Sequence, residues 1–442
     1  MKRIIYLIGL GLFISCGKLD VKPDLSRVIP STLQDFQGIL DDTDGGFNYN
    51  YNCFGEIAAG DFYVNFADYQ SNSILLTSKI YVWNIANLDD AFISDWNSSY
   101  KKILRTNVVL EGLKGILPKE QNIEYNYVKG QALFHRALCY YMLVEEFAPV
   151  YDAVNVGKPA IPLRTSADIN LSYPLSTVSE VYNFIVSDLI TATDLLTDNS
   201  VYKTRPSRAA ALGLLARVYL AMDDYKNALK YAGLCLKVKA ELLDYNLINA
   251  NSSYPIPQLN EEVIFQGSML ADQLLFRNVL KVQLGLYDLY ENGDLRKDIF
   301  FLKNSDQSIA FKGNYNGLDF SFFAGLAIDE IYLIEAECHA RLNNVPMALE
   351  TLNKLLKMRY KTGFFIPVEI NNQDGLLMRI FLERRKELLF RGLRWTDLRR
   401  LNKDPRFAVT LTRELNAQTY TLPPNDPRYV FPIPKYVTTI KY

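Results

Sequence analysis

From Trp96 onward, apolar and small residues recur every three or four positions. Trp96, Tyr100, Leu104, Asn107 and Glu111 follow one helical face, with Ile103, Val108 and Leu110 beside them. The rhythm returns over residues 121–147 through Tyr127, Ala132, Leu133, Ala137, Tyr140, Tyr141 and Val144, and Ala148-Pro149 breaks it. A loop holding Pro159 and Ile161-Pro162-Leu163 follows. Ser176-Thr177 then precedes a third helix, about 178–196, with Glu180 spaced to complete a capping box with Thr177.

The most informative pattern is an internal repeat. Ala216 to Leu229 aligns without gaps, at an offset of 120, with Ala336 to Leu349. In both, a small residue on one helix is followed twelve positions later by Ala on the next, across a polar turn (Asp223-Asp224, Asn343-Asn344). That spacing is the tetratricopeptide-type hairpin, in which small residues let two helices approach closely. The chain is therefore expected to be mainly α, a right-handed tetratricopeptide-like superhelix of about four helical hairpins over 96–147, 178–239 and 328–401, with little β structure. Two long irregular stretches, 41–95 and 245–325, are rich in Asn, Asp, Gly, Tyr and Phe, and a shorter one spans 362–372. Loops of this length usually carry function. They are expected to pack on the hairpins as a second layer, giving one domain over 32–442, with a small β element near Glu262–Gln266.

The first residues read differently. Lys2 and Arg3 precede an apolar run from Ile4 to Ile14, then Ser15 and Cys16, the layout of an export signal. The run is shorter than the roughly 20 residues a membrane span needs. Leu12 to Cys16 resembles a bacterial lipobox, which predicts a signal peptide over 1–15, lipidation of Cys16 and a tether over 16–31. Each buried acyl methylene adds about 0.8 kcal/mol of membrane affinity.

Charge and cysteine content narrow the classes. Lys+Arg 48 against Asp+Glu 49 leaves a net charge of -1, which argues against nucleic acid as a partner. Cys53, Cys139, Cys235 and Cys338 form no CxxC pair, and most fall inside helical patterns, so buried free thiols are expected rather than disulfides. His135 and His339 lie far apart inside helix patterns. No metal site and no cofactor is expected from them.

Residues 380–401 contain Glu383-Arg384-Arg385, Glu387-Leu388, Gly392, Arg394-Trp395 and Asp397-Leu398-Arg399-Arg400. This resembles the carboxyl-terminal signature of the SusD/RagB family of outer-membrane lipoproteins. Trp96 to Glu111, Gly130 to Ala137, Ile161-Pro162-Leu163, Arg205 to Leu220 and Phe431-Pro432-Ile433-Pro434 are similar to further blocks of that family, in order. Arg391 stands where the family has Glu, which is expected to weaken one ion pair. Gly392 is expected at positive φ, with Arg394 and Asp397 folding back on the hairpin. The basic run itself reads as a helix face held by ion pairs rather than as an anion site.

The resemblance implies a SusD-like fold and a non-catalytic role: binding an oligosaccharide at the cell surface and delivering it to a SusC-like TonB-dependent transporter, from an outer-membrane lipid anchor facing the exterior. RagB-like relatives imply peptide as the nearest alternative ligand. A helical glycoside hydrolase would need two suitably spaced carboxylates, and a bare tetratricopeptide adaptor would leave the long loops unexplained. A sugar site needs aromatic platforms and directional polar groups. Residues 41–100 hold thirteen aromatics and sixteen Asn+Asp, which makes the first irregular region the leading candidate. The expected platforms are Tyr63, Tyr69, Tyr81 and Trp83. The expected polar partners are Asp61, Asn65, Asp68 and Asn84, with Arg277 and Tyr287 contributing from the second region.

Overall fold

The computed structural model describes residues 30–86, 93–116 and 122–438; the leader, Cys16 and most of the tether lie outside them. The helices fall where the periodicity puts them: Ser94–Lys114, Ile123–Phe147, Val178–Leu195, Arg208–Ala221, Tyr225–Val238, Ile328–Arg341, Val345–Lys357, Gln373–Glu387 and Arg394–Leu401. Most pack on their neighbours in this series, whereas Arg394–Leu401 packs on Phe54–Ala58 and Arg208–Ala221. Ile123–Phe147 lies between Ser94–Lys114 and Val178–Leu195, and Ile328–Arg341 packs on Tyr225–Val238, Val345–Lys357 and Gln373–Glu387. Thr177 and Glu180 form the expected capping box.

The two repeat hairpins match in detail. Asp223 (φ 57) and Asn343 (φ 61), 120 positions apart, both adopt the left-handed conformation at the turn, where a short polar side chain is tolerated best. Helix approach is close because the facing residues are small. A Cβ on Gly213 would stand 3.1 Å from Ile331 and 3.2 Å from Ile264. Ala209, Ala216, Ala228, Ala336 and Ala348 are all buried.

The irregular stretches are tied to each other as well as to the helices. Phe62–Tyr63 pairs antiparallel with Lys281–Val282, and Tyr51 bridges to Met269. Val263–Phe265, the β element expected near 262–266, pairs with Leu326–Ala327. The other antiparallel two-stranded pairs are Pro159–Pro162 with Leu175–Thr177, Phe301–Lys303 with Ile309–Phe311, and Leu411–Leu415 with Gln418–Leu422. One hydrophobic cluster runs through all of these regions, from Tyr51 to Phe431. Cys53, Cys139, Cys235 and Cys338 are buried free thiols. His135 packs against Phe47 at 4.4 Å, and burial lowers its pKa to about 3, so it is a neutral core residue.

The carboxyl-terminal signature is the electrostatic centre of the fold. Its turn uses Phe390 (φ 58) and Gly392 (φ 74). Arg296, fully buried, donates to Asp294, to Glu383 at 2.7 Å and to Glu387 at 3.0 Å. Arg359 bridges Glu262 and Glu387, and Lys386 reaches Asp294 at 2.8 Å. Asp397 accepts from Arg384 and Arg400. Burial alone would raise its pKa, but the two guanidinium groups outweigh this and hold it below the ordinary carboxylate range. Arg391 does not weaken the lattice as its departure from the signature suggests. It makes a two-pronged pair with buried Asp329 and lies 3.7 Å over the Tyr315 ring, so Asp329 supplies the charge that the substitution requires.

Candidate functional site

The structure turns three of the expected site residues inward. Tyr81 and Trp83 are buried, packed with Phe62 around the Arg413 guanidinium, which lies 3.8 Å over Tyr81. Trp83 donates to the Ala58 carbonyl and Tyr81 accepts from the Val64 amide. Asp61 is held by Arg385 at 2.6 Å, because a buried carboxylate needs a cation. None of the three presents a free face to a ligand, which corrects their expected role.

The other seven are more accessible. Tyr63 is half-buried opposite Lys281. Asn65 caps the short helix Phe66–Ser71 by accepting from the Asp68 amide, and Tyr69 on that helix donates to the Ser78 carbonyl. Asn84 is exposed. Arg277 is engaged by Asp319 and the Ser253 carbonyl, and Tyr287 lies under Lys297 at 4.5 Å. Asn65, Asp68 and Tyr69 thus share one short helix, and Arg277 and Tyr287 are committed to partners within the chain.

The arrangement best suited to a sugar lies next to that region, at the start of the helix Ser94–Lys114. A cleft of about 240 Å³ is formed there by the first turns of this helix, the loop after Pro159–Pro162 and the tail helix Lys435–Thr438. Trp96 forms its base, edge-on to Phe147 and 4.7 Å from Tyr100. The Tyr100 hydroxyl donates to the Pro162 carbonyl at 2.8 Å. Burial, then neighbouring Tyr140, raises the Tyr100 phenol well above its ordinary pKa.

The loop is pinned by the helices behind it. The Arg164 carbonyl accepts from Asn107 and Tyr140, and Ser166 donates to Glu111 at 2.7 Å. This leaves the Arg164 guanidinium over the Tyr173 ring at 5.4 Å, donating to the Ile169 and Leu171 carbonyls. On the tail, half-exposed Tyr436 donates to Asn97 at 3.1 Å.

Tyr100, Tyr173 and Tyr436, with buried Trp96 behind them, the amides of Asn97 and Asn170, the Ser172 hydroxyl and Arg164 thus meet in one concavity. Aromatic faces suit the C–H face of a sugar, and the polar groups suit its hydroxyls. Arg164, Asn170, Tyr173 and Tyr436 are not among the expected residues, and Trp96 and Tyr100 are expected only on a helix face. Their only local signal is aromatic and amide side chains at helix and loop ends. Among the described residues no group of three or more His, Cys, Asp or Glu is placed to hold a metal ion.

Comparison with known proteins agrees with this architecture. Residues 18–220 match the family model described as "Starch-binding associating with outer membrane", and residues 328–438 match that of the SusD family. The chain is 24 % identical to SusD-like protein P2 of Formosa agariphila, over 69 % of this chain and 71 % of that protein. A SusD superfamily protein from Bacteroides thetaiotaomicron superposes with a TM-score of 0.75 at 22 % identity, over 92 % of this chain and 98 % of the other. A SusD-like carbohydrate binding protein from Bacteroides vulgatus gives 0.67 at 22 %, over 91 % and 95 %. At these identities the structural likeness is one of fold.

Proposed function

Because the chain belongs to the SusD family, we propose that it captures an oligosaccharide without cleaving it. On this reading a lipid on Cys16 anchors it to the outer membrane facing the exterior, and it passes the glycan to a SusC-like TonB-dependent transporter. The observation that carries the reading is the cleft built from Trp96, Tyr100, Tyr173 and Tyr436 around Asn97, Asn170 and Arg164. Its described lining is suited to stacking on and hydrogen-bonding a sugar, whereas hydrolysis calls on two carboxyl groups flanking the bond. The matched family, described as starch-binding, and the Bacteroides vulgatus protein, described as carbohydrate binding, support a glycan over a peptide.

The test is calorimetric titration of the full chain in detergent against plant and host glycans and a peptide panel, with product analysis of every mixture. A glycan that binds uncleaved, and binds about five- to a hundredfold more weakly to Tyr436→Ala, is the expected result, since loss of one aromatic contact with its hydrogen bond removes about 1–3 kcal/mol. Shortened products, or binding of peptides alone, would overturn it.

A further inference from the structure

The helix face that brings Trp96 and Tyr100 to the aromatic cleft continues to Asn107 and Glu111. Asn107 is buried and does not line the cleft. Its Nδ2 donates to the Arg164 carbonyl at 2.9 Å and to the Ser166 carbonyl at 3.2 Å, while its Oδ1 accepts from Arg136 Nη1 at 3.0 Å. A guanidinium can only donate, so Arg136 decides which end of the Asn107 amide faces the loop. Arg136 is fixed in turn by two bonds to Asp188, at 2.7 and 2.9 Å, and lies 4.8 Å over the Phe184 ring.

Two further side chains hold the same loop. One turn beyond Asn107, Glu111 Oε1 accepts from the Ser166 hydroxyl at 2.7 Å and from the Ala167 amide at 3.1 Å. The Tyr140 hydroxyl donates to the Arg164 carbonyl at 2.8 Å. The loop has little else to shape it: within residues 164–173 the only bond from main chain to main chain runs from the Leu171 amide to the Asp168 carbonyl, at 3.4 Å. A segment with so few main-chain bonds takes its shape from the side chains that grip it.

That loop nevertheless carries Arg164, Asn170, Ser172 and Tyr173 into the cleft. Trp96 and Tyr100 stand on the helix that also holds Asn107 and Glu111. One rigid element therefore supplies one wall of the cleft and positions the other.

We infer that Asn107 is a positioning residue for glycan binding: oriented by Asp188 and Arg136, it holds loop 164–173 in the shape that completes the cleft. The inference rests on glycan capture in this cleft. A glycan then meets a finished site and loses no affinity to ordering the loop. The relay also gives one purpose to Asn107, Glu111 and Arg136, which belong to two separate sequence blocks, Trp96 to Glu111 and Gly130 to Ala137.

The experiment compares the full chain in detergent with Asn107→Asp, which keeps the size of the side chain and an acceptor for Arg136 but turns a second acceptor toward the two loop carbonyls. Hydrogen exchange of the free protein should be about tenfold faster at the amides of residues 164–173, and unchanged in Ile123–Phe147 and Val178–Leu195. Surface plasmon resonance against a glycan panel that begins with maltohexaose, a starch fragment, reads the binding. Affinity should fall about tenfold through slower association, with dissociation unchanged, because fewer molecules hold the competent loop. Tyr436→Ala removes a contact and should instead speed dissociation. A merely structural role would lower the melting temperature and leave both rates alone below it. Ser166→Ala cuts the bond to Glu111 without burying a charge, and should show the same signature at about threefold even if Asn107→Asp does not fold. Unchanged loop exchange in both variants, or a loss of affinity carried by dissociation alone, would overturn the inference. Normal glycan binding by both loop variants, with Tyr436→Ala weakened, would overturn it and leave the proposed function standing; a wild-type chain that binds no glycan would overturn both.

Discussion

Arg296→Met removes the central cation of the buried charge lattice without adding bulk. Arg296 makes four charge-assisted hydrogen bonds: two to Asp294 at 2.8 and 2.7 Å, one to Glu383 at 2.7 Å and one to Glu387 at 3.0 Å. Arg296, Asp294, Glu383 and Glu387 have no exposed side-chain surface. After the substitution Arg359 still reaches Glu387 at 2.7 Å and Arg379 still reaches Glu383 at 2.9 Å, but Asp294 is left with Lys386 alone, at 2.8 Å. Breaking a buried pair from one side costs about 3–5 kcal/mol, because a desolvated charge stays behind. Urea unfolding at pH 7, followed by near- and far-ultraviolet circular dichroism, measures the loss. The double variant Arg296→Met with Asp294→Asn should recover part of it, since it also neutralises the carboxylate that loses two of its charge-assisted bonds. A single-variant loss below about 1 kcal/mol, or no recovery in the double variant, would refute the view that this lattice holds the signature in place.

Glu56 is buried, and burial, then the nearby Asp61 charge, raises its pKa to about 8. A carboxyl raised in the folded state stabilises the fold fully below its unfolded pKa near 4.3, and that contribution fades as pH climbs to about 8. Stability should therefore fall by about 1.4 kcal/mol per pH unit within that window from this group alone. Glu56→Gln keeps the acceptor for the Gly392 amide and should flatten the slope in denaturant midpoints measured from pH 5 to 8; an unchanged slope contradicts the assignment. The hairpin Leu411–Leu415/Gln418–Leu422 turns through Asn416 (φ 50) and Ala417 (φ 59), and a left-handed Ala costs about 1–2 kcal/mol. Ala417→Gly should raise stability by about 0.5–1 kcal/mol in the same assay, net of the freer unfolded chain, and a loss would contradict the strain argument.

The helical scaffold was readable because its causes are local. Thr177 and Glu180 make a cap from four consecutive positions. The 120-residue offset aligns Asp223 with Asn343 because both hairpins need the same tight polar turn. Gly392 likewise announced its positive φ. The ligand surface was less readable because its causes are tertiary. Tyr81 and Trp83 belong to an Asn-, Asp- and aromatic-rich stretch that suits a binding loop, but Arg413, more than 300 positions later, draws them inward. Asp61 is likewise taken by Arg385. The cleft draws Trp96 and Tyr100 from one helix, Arg164 and Tyr173 from a loop and Tyr436 from the tail, and no periodicity connects these segments. The partner of Arg391 was equally hidden, because Asp329 is 62 positions away.

Glycan capture in this cleft is tested most directly by a crystal structure of the protein with the tightest-binding oligosaccharide from the titration. The expected result is an intact sugar with one ring against Tyr436, Tyr173 or Tyr100 and hydroxyls within hydrogen-bond distance of Asn97, Asn170 or Arg164. A sugar bound elsewhere with the cleft empty, or a cleaved one, would contradict it.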